Sequence, residues 1–262
     1  MIKESYRKLT TGMKLKGILP NDILIASFPK TGSTLTRFIF SNLINIQNGL
    51  NKVIDFYSLG DNSPECMVND LRKSFPSLKG GYRVIKTHGF FSESKRYKIP
   101  RTIYIVRDPR DVMISYYHYA KKRKKMRYEG AFEDFIMDQK YGIYAYNEHV
   151  KSWIGEAKWV IRYEDLISNP YSNISKILED IGYTYPTYHA SLSKAILYSK
   201  PETVKDLERK KSRPGQDVNF DSDFKFVRDG SVAQWKNLIA PELSNKIMMS
   251  SSGILRKLYE DE

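Results

Sequence analysis

The stretch ILIASFPKTGSTLTRF, residues 23–38, joins an apolar run, a polar loop and an amphipathic pattern. Residues 23–28 are almost continuously apolar, as in a short strand buried on both faces. After the loop, apolar residues recur at helical spacing until Gly49, and glycine commonly follows a helix end. The stretch therefore predicts a strand, a loop and a helix in direct succession.

The loop of this unit carries Lys30, Thr31, Gly32, Ser33 and Thr34. Backbone N–H groups at a helix start bind anions, and the helix dipole strengthens that binding. The glycine lets the backbone approach a phosphate closely, and the hydroxyl groups add donors. A Walker loop ends in its lysine, whereas here the lysine comes first. We expect a P-loop-like anion site whose lysine reaches a group beyond the phosphate; the alternative is an ordinary strand-to-helix turn.

The rest of the chain continues the alternation of strands and helices. Residues 82–88 and 102–108 predict two more strands, and residues 158–166 predict a strand followed by a turn. Asp108 is a candidate N-cap, and Pro109 suits the first turn of the next helix. Such alternation favours right-handed crossovers and a parallel sheet. We therefore expect an α/β fold, a single domain with a central parallel β-sheet flanked by helices.

Polar residues stand at the ends of these strands, where open parallel sheets bind ligands. Lys86 and His88 are two apart, so a strand places them on one face. Histidine is the usual general base near neutral pH. Arg107 ends the third strand and Ser115 lies about two helical turns later, a pair suited to a phosphate. Tyr163 is equally a candidate for contact with the base of a nucleotide and for packing in the core.

Composition limits the remaining options. The 262 residues include 43 Lys and Arg against 30 Asp and Glu, a net charge of +13, which suits a nucleotide, a nucleic acid or a membrane surface. Cys66 is the only cysteine, so an intramolecular disulfide is excluded. No apolar run approaches the roughly 20 residues of a membrane span, and no metal-ligand spacing occurs. We expect a cytoplasmic protein without a membrane span or a metal site.

Other charges are open to several interpretations. The basic run KKRKKMR, residues 121–127, is expected to be a solvated helix end; the alternatives are contacts to an acidic partner or an anionic substrate. The aromatic–basic pattern of single-strand binding does not surround it, and we expect no nucleic-acid partner. Arg110 and Asp111 are expected to be surface charges. Residues 212–226, rich in Gly, Pro and Asp, predict a mobile loop.

Taken together, these segments resemble the sulfotransferase family that uses 3′-phosphoadenosine 5′-phosphosulfate (PAPS). FPKTGSTL resembles the loop that binds the 5′-phosphosulfate, and RDPRDVMISYY resembles the segment that binds the 3′-phosphate. RYEDL resembles the segment whose tyrosine lies near the adenine. FVRDGSVAQWKN resembles the C-terminal motif that closes over the 3′-phosphate. The motifs occur in the family's order between about residue 22 and about residue 237.

The resemblance implies a reaction and a role for each residue. Lys30 would stabilise the bridging oxygen of the leaving phosphate, Lys86 would hold the sulfuryl oxygens, and His88 would take the proton of an acceptor hydroxyl or amine. The transfer would be in line and would need no metal. The implied co-substrate-binding residues are Lys30, Thr31, Gly32, Ser33, Thr34, Arg107, Ser115, Tyr163, Phe226, Arg228 and Gly230.

Several features depart from the family pattern. Leu35 replaces a common tryptophan, so Phe226 is expected to contact the adenine instead. Asp229 stands where the family usually has lysine. The dimer motif of the animal cytosolic enzymes is missing, which leaves the oligomeric state open. On this basis the chain is one sulfotransferase domain with a core at about residues 22–237, an N-terminal extension (1–21) and a C-terminal helical segment (238–262).

The acceptor is expected to be a small molecule or lipid with a hydroxyl or amine. Four loops rich in aromatic residues, 52–76, 90–97, 128–147 and 212–226, are expected to form its pocket. Two other functions stay open at this point. A P-loop phosphotransferase would need a Gly-Lys-Ser/Thr loop ending, and a basic nucleotide- or nucleic-acid-binding module would explain the charge but not the pairing of Lys86 with His88.

Overall fold

The structure is a computed structural model that describes residues 17–50, 52–66, 68–91, 101–184, 187–211, 216–227 and 229–260. Four strands, all parallel, form its sheet in the order β2-β1-β3-β4. They are β1 (Ile23–Ser27), β2 (Val84–Thr87), β3 (Arg101–Val106) and β4 (Trp159–Arg162). The expected α/β fold with a central parallel sheet is confirmed.

The described residues also form helices, which come between the strands in the sequence or after β4. They are α1 (Ser33–Gln47), α2 (Leu59–Asn62), α3 (Pro109–Lys122), α4 (Phe132–Met137), α5 (Ile143–Trp153), α6 (Tyr163–Ser168), α7 (Pro170–Asp180), α8 (Tyr188–Tyr198), α9 (Pro201–Lys210), α10 (Gln216–Asn219), α11 (Trp235–Leu238), α12 (Pro241–Ser250) and α13 (Gly253–Tyr259). Helix α6 begins directly at the end of β4, where the sequence predicted a turn. In the part of the chain that the structure describes, no helix has the length and apolar character needed to cross a bilayer.

Both faces of the sheet are covered, which explains the nearly continuous apolar runs. Successive strand residues point to opposite faces. Leu24 and Tyr104 pack into a cluster that includes residues of α3, α5 and α13. Ile25 and Ile103 pack on the other face, against residues of α1, α7 and α8. The strands are therefore fixed by burial, and their carboxyl ends are left to form a site.

Helix α3 starts as the sequence predicted. Asp108 lies outside the helix and its carboxylate accepts a hydrogen bond of 2.8 Å from the Arg110 backbone N–H. Pro109 occupies the first turn, where its missing N–H costs nothing. This cap fixes where the chain passes from β3 into α3. It thereby sets the position of Arg107 before the helix and of Ser115 within it.

Candidate active site

A cavity of about 480 Å³ lies at the carboxyl ends of β1, β2 and β3. It brings together most of the residues that the sequence singled out. Thr31 is fully buried beneath the lining, and Arg228 lies outside the described residues. The singled-out residues that line the cavity are Lys30, Gly32, Ser33, Thr34, Lys86, His88, Arg107, Ser115, Tyr163, Phe226 and Gly230.

The anion loop, residues 28–34, has an unusual backbone. Lys30 has φ 71°, a conformation rare for a residue with a side chain, and Gly32 has φ 111°. The Thr31 hydroxyl donates a hydrogen bond of 2.9 Å to the carbonyl of Phe28, which closes the loop on itself. A Cβ on Gly32 would stand 2.3 Å from a ring carbon of Tyr163. Position 32 thus requires glycine for both its φ and its neighbour.

Lys30 lies between aromatic rings. Its ammonium is 4.3 Å from the centroid of the Phe226 ring and 5.0 Å from that of Tyr119. Cation–π contacts of this kind hold a lysine without neutralising it. These rings therefore help to keep the ammonium at the cavity.

His88 is held in one tautomer by the strand beside it. Its Nδ1 lies 2.6 Å from the carbonyl oxygen of Ser27, so Nδ1–H donates and Nε2 carries the lone pair. Burial, followed by the positive charge of Lys86, lowers the pKa of His88 to about 3. The imidazole is therefore neutral at pH 7 and able to accept a proton at Nε2.

His149, on α5, contacts the backbone of His88. The Tyr104 hydroxyl lies 3.0 Å from Nδ1 of His149, whose Nε2 lies 3.3 Å from the backbone oxygen of His88. The Trp153 indole donates a hydrogen bond of 2.8 Å to the carbonyl of Gly89. The sequence analysis did not single out His149; the i, i+4 spacing of His149 and Trp153, which places them on one helix face, was the only signal.

Lys86 is paired with Glu65, another residue that the sequence did not single out. The Lys86 ammonium lies 3.0 Å from a carboxylate oxygen of Glu65, and both side chains line the cavity. Burial alone would raise the pKa of Glu65, but the Lys86 ammonium lowers it to about 2. The pair stays ionised at neutral pH, and its lysine is fixed beside His88.

Arg107 is nearly buried and has an unused donor. Its Nη2 donates to the Asp111 carboxylate and to the Ser231 carbonyl, each at 3.0 Å. Its guanidinium carbon lies 4.4 Å from the centroid of the Tyr163 ring. Its Nε is buried and has no partner among the described residues. An anion bound in the cavity would satisfy this nitrogen, so the site fits a phosphate.

The expectation that Arg110 and Asp111 are surface charges is wrong. Only 4% of Arg110 and 2% of Asp111 are exposed. Arg110 pairs with Asp108 at 2.6 Å, and its guanidinium lies 3.6 Å from the centroid of the Trp235 ring. Asp111 orients Arg107 and accepts a hydrogen bond of 3.0 Å from the Trp235 backbone N–H. Opposite charges nearby in the chain, together with Trp235 from a distant segment, make the burial of both charges tolerable.

The strap, residues 226–227 and 229–235, lines the cavity beside the anion loop, where its Phe226 ring contacts Lys30. The Glu208 carboxylate accepts hydrogen bonds from the backbone N–H groups of Phe226 (2.6 Å) and Val227 (3.0 Å). The Tyr163 hydroxyl donates a hydrogen bond of 2.7 Å to the carbonyl of Gly230. Side chains of other elements therefore supply the contacts that position the strap.

Asp229, at the position where the family usually has lysine, lies beside a lysine from another element. A carboxylate oxygen of Asp229 is 3.8 Å from the ammonium of Lys205 on α9. The other oxygen accepts a hydrogen bond of 2.7 Å from the Ser231 hydroxyl. The strap thus has a cation close to this position, supplied by α9.

The basic run meets an acidic segment of the same chain. The Lys122 ammonium lies 2.7 Å from a carboxylate oxygen of Asp223. The Lys124 backbone N–H donates a hydrogen bond of 2.9 Å to the carbonyl of Asn219. Residues 216–224, the docked segment, are thereby joined to the end of α3. Lys125 is exposed, as expected of a solvated helix end, while Arg123 turns inward and lines the cavity.

The aromatic wall of the cavity differs from the expected one. Phe56 lines it, as residues 52–76 predicted, together with Tyr116, Tyr119 and Phe220. No residue of 128–147 lines it. Tyr146 is instead fully buried, and its hydroxyl both accepts from the N–H of Arg107 and donates to its carbonyl. The expectation for that loop is wrong because most of its aromatic side chains pack in or against the core, while Tyr144 is exposed.

Across the described ranges, no group of three or more His, Cys, Asp and Glu side chains is arranged to hold a metal ion. The charged groups of the cavity are mainly cations. Such a lining suits a polyanionic ligand bound through lysine, arginine and backbone donors.

Comparison with known proteins identifies the family. The family model of the Sulfotransferase domain matches residues 20–258. The chain is 26% identical to Sulfotransferase 1A1 of Mus musculus over 249 residues, covering 83% of this chain and 79% of that protein. It is 27% identical to Flavonol 3-sulfotransferase of Flaveria bidentis over 253 residues, covering 87% and 80%.

Two solved structures share the fold. Retinol dehydratase in complex with androsterone and the inactive cofactor PAP aligns with a TM-score of 0.68 at 18% identity, over 94% of this chain and 84% of that one. Mouse sulfotransferase SULT7A1 complexed with PAP aligns with a TM-score of 0.67 at 19% identity, over 95% and 92%.

The fold and the anion-binding cavity thus define a nucleotide-dependent transferase of the α/β class. The chain belongs to the sulfotransferase family. It is a PAPS-dependent sulfotransferase, and PAPS is its co-substrate. The resemblance inferred from the four sequence motifs is confirmed.

Proposed function

We propose that the protein transfers a sulfuryl group in line from PAPS to a hydroxyl or amine of a small-molecule or lipid acceptor, with Lys30, Lys86 and His88 as catalytic residues. The observation that carries the proposal is the arrangement around His88. A neutral imidazole with its lone pair on Nε2 shares one cavity with two lysines and an anion loop. A base and a stabilised leaving group are what sulfuryl transfer to a neutral nucleophile requires.

His88 accepts the proton of the acceptor. As the acceptor oxygen or nitrogen forms its bond to sulfur, the bond from sulfur to the bridging oxygen of the phosphate breaks. The acceptor proton moves to Nε2 of His88, while Nδ1–H stays bound to the Ser27 carbonyl. The products are a sulfate ester or sulfamate and adenosine 3′,5′-bisphosphate (PAP).

The two lysines stabilise charge at different atoms. Lys30 lies in the anion loop and balances the charge that builds on the bridging oxygen of the leaving phosphate. Lys86, fixed by Glu65, lies beside His88 and holds the sulfuryl oxygens. Positioned cations in a cavity shielded from bulk water stabilise such charge strongly, which is the main source of catalysis in related phosphoryl transfers.

The co-substrate is held by the anion loop and by the exit of β3. Thr31, Gly32, Ser33 and Thr34 bind the 5′-phosphosulfate through the start of α1. The 3′-phosphate binds to Arg107 and Ser115; the unpaired Nε of Arg107 supports this. Tyr163, Phe226, Gly230 and Arg228 complete the set, the last from outside the described residues.

The acceptor occupies the aromatic side of the cavity. The names of related proteins include a flavonol as substrate, and androsterone and retinol as ligands of retinol dehydratase. The aromatic residues that line this cavity support an acceptor with an apolar or aromatic body. The cytoplasmic location, the boundaries of the core at residues 22–237 and the adenine contact of Phe226 stay predictions.

Calorimetric titration tests the co-substrate site. We expect tight binding of PAP in the presence of EDTA and no binding of ATP, because ATP lacks a 3′-phosphate. The variant His88→Ala should bind PAP as the wild type does, yet lose turnover in an assay with radiolabelled PAPS and a panel of phenols, alcohols and amines. Binding of ATP alone, or intact turnover by the His88→Ala variant at pH 7, contradicts the proposal.

A further inference from the structure

One cation of the cavity has no role in the mechanism above. Arg123 follows α3 directly and lines the cavity. Its guanidinium carbon lies 5.5 Å from the centroid of the Tyr119 ring, and the Lys30 ammonium lies 5.0 Å from the centroid of the same ring. Arg123 and Lys30 therefore lie beside the same aromatic ring of the cavity wall.

The position of Arg123 is fixed by its backbone. Its N–H donates a hydrogen bond of 3.0 Å to the carbonyl of Tyr119, and it forms an isolated antiparallel bridge with Phe220. The Phe220 ring stacks on Phe224 with a centroid distance of 4.0 Å and contacts Tyr119 at 5.4 Å. The arginine thus stands in a wall of neutral aromatic rings.

No described carboxylate neutralises this arginine. The acidic residues that line the cavity, Glu65 and Asp229, lie beside Lys86 and Lys205, and Asp111 behind the lining pairs with Arg107. In the docked segment, both Asp221 and Asp223 pair with Lys122. Within the described part of the chain, the guanidinium of Arg123 contacts a ring and no anion.

Distance separates Arg123 from the groups assigned to the 3′-phosphate. Ser115, proposed to bind that phosphate, lies within α3, and Arg123 follows the end of the helix, eight residues later. At a rise of about 1.5 Å per residue, the two Cα atoms are about 12 Å apart along the helix axis. Arg107 contacts Tyr163 rather than Tyr119. The charge of Arg123 is thus directed at whatever fills the aromatic side of the cavity.

We propose that Arg123 binds a carboxylate of the acceptor, so that the preferred substrates are small hydroxylated aromatic acids; this inference rests on the proposed function. The planar guanidinium binds a carboxylate through two parallel hydrogen bonds. A single arginine among neutral rings balances a single negative charge, whereas a dianionic phosphate would keep excess charge. The acceptor hydroxyl then lies at His88 and its ring between the aromatic side chains.

Matched acceptors test the assignment. The panel is 4-hydroxybenzoate, 4-hydroxyphenylacetate and 3-(4-hydroxyphenyl)propanoate, each with its methyl ester, assayed with saturating PAPS. We expect the wild type to favour at least one acid over its ester by about 10-fold or more in kcat/KM, mostly through KM, as for a charge-assisted hydrogen bond. Arg123→Gln should reduce that acid-to-ester ratio by about 10- to 100-fold, and Arg123→Lys by less.

Lys125→Gln is the matched control, since it removes an exposed cation of the same run and should preserve the ratio. PAP binding, measured by calorimetry on every variant, reports folding and the co-substrate site. If the wild type does not bind PAP, the proposed function is contradicted. With PAP binding intact, the proposal for Arg123 is overturned by equal turnover of acids and esters, by turnover of no acid, or by an unchanged ratio in Arg123→Gln.

Discussion

The anion loop and the strap line the same cavity, but they are held in place by different means. The loop follows a fully buried strand and leads into α1, and its own Thr31 closes it. The described residues of the strap before Trp235 have no regular structure, and the strap depends on side chains from four other places in the fold. Those side chains are Glu208 on α9, Tyr163 on α6, Arg107 after β3 and Asp111 on α3.

This difference predicts which side is rigid before the co-substrate binds. Burial of β1 and the hydrogen bonds of α1 fix the loop together with the core of the domain. The strap gains order from polar contacts and from the packing of Phe226 and Val227 on a small apolar cluster, and segments with so few buried contacts open at low free-energy cost. We infer that the loop is preformed, while the strap is completed by binding. Four changes test this contrast, in order of decreasing effect.

Gly32→Ala should have the largest effect on stability and on PAP binding, because it disturbs both the anion loop and Tyr163, which holds the strap. The new Cβ meets the Tyr163 ring, and the backbone keeps a φ that favours glycine. We expect a loss of about 3 kcal/mol in the free energy of unfolding and no measurable PAP binding. Gly49→Ala is the control, since φ is 75° there but no atom lies within 4 Å of the added Cβ. It should cost only about 1 kcal/mol and preserve binding. Equal effects of the two variants would break the comparison.

Acid should lower the free energy of unfolding through two buried histidines, His88 and His149. Burial lowers the pKa of both His88 and His149 to about 3, below the value of about 6.5 in an unfolded chain. The unfolded state therefore binds more protons, so stability is lost as pH falls below about 6.5. Each histidine contributes about 1.4 kcal/mol per pH unit.

Urea unfolding of wild type and His149→Gln between pH 7.5 and 5 measures this effect. The variant lacks one titrating group, so its stability should fall less steeply, by about 2 kcal/mol less at pH 5. Identical slopes for the two proteins would show that His149 is not held neutral.

Glu208→Ala removes the two acceptors of the strap's N–H groups. We expect PAP binding to weaken by about 1.5 kcal/mol, the scale of a hydrogen bond to a charged group, with little change in the urea midpoint. Glu208→Gln keeps one carbonyl acceptor and should recover part of the affinity. A large loss of stability in place of affinity would mean that the strap is as rigid as the loop.

Lys205→Gln should have the smallest effect. The 3.8 Å pair with Asp229 is partly exposed to solvent, since 28% of the Lys205 side chain and 51% of the Asp229 side chain are accessible. Pairs of this kind contribute about 0.2–1 kcal/mol. PAP affinity measured by calorimetry should therefore change by less than about fivefold. A loss of tenfold or more would show that Lys205 contacts the co-substrate directly.

Sequence patterns were sufficient where a residue's role depends on its neighbours in the chain. The strand, loop and helix of residues 23–38 and the cap of α3 were correctly predicted from spacing alone. Lys86 and His88 were placed together because strand residues two apart share a face. Arg110 was wrongly assigned to the surface, because its partner ring, Trp235, comes from a segment more than 100 residues away.

The sequence by itself determined the parallel α/β fold, the order of the motifs and the family, because periodicity and loop chemistry act over a few residues. Tertiary structure alone decided that Glu65 fixes Lys86, that His149 supports His88 and that Glu208 holds the strap. It also turned Arg123 into the cavity. Each of these depends on contacts between elements far apart in the chain, and such contacts exist only once the sheet and its helices have packed.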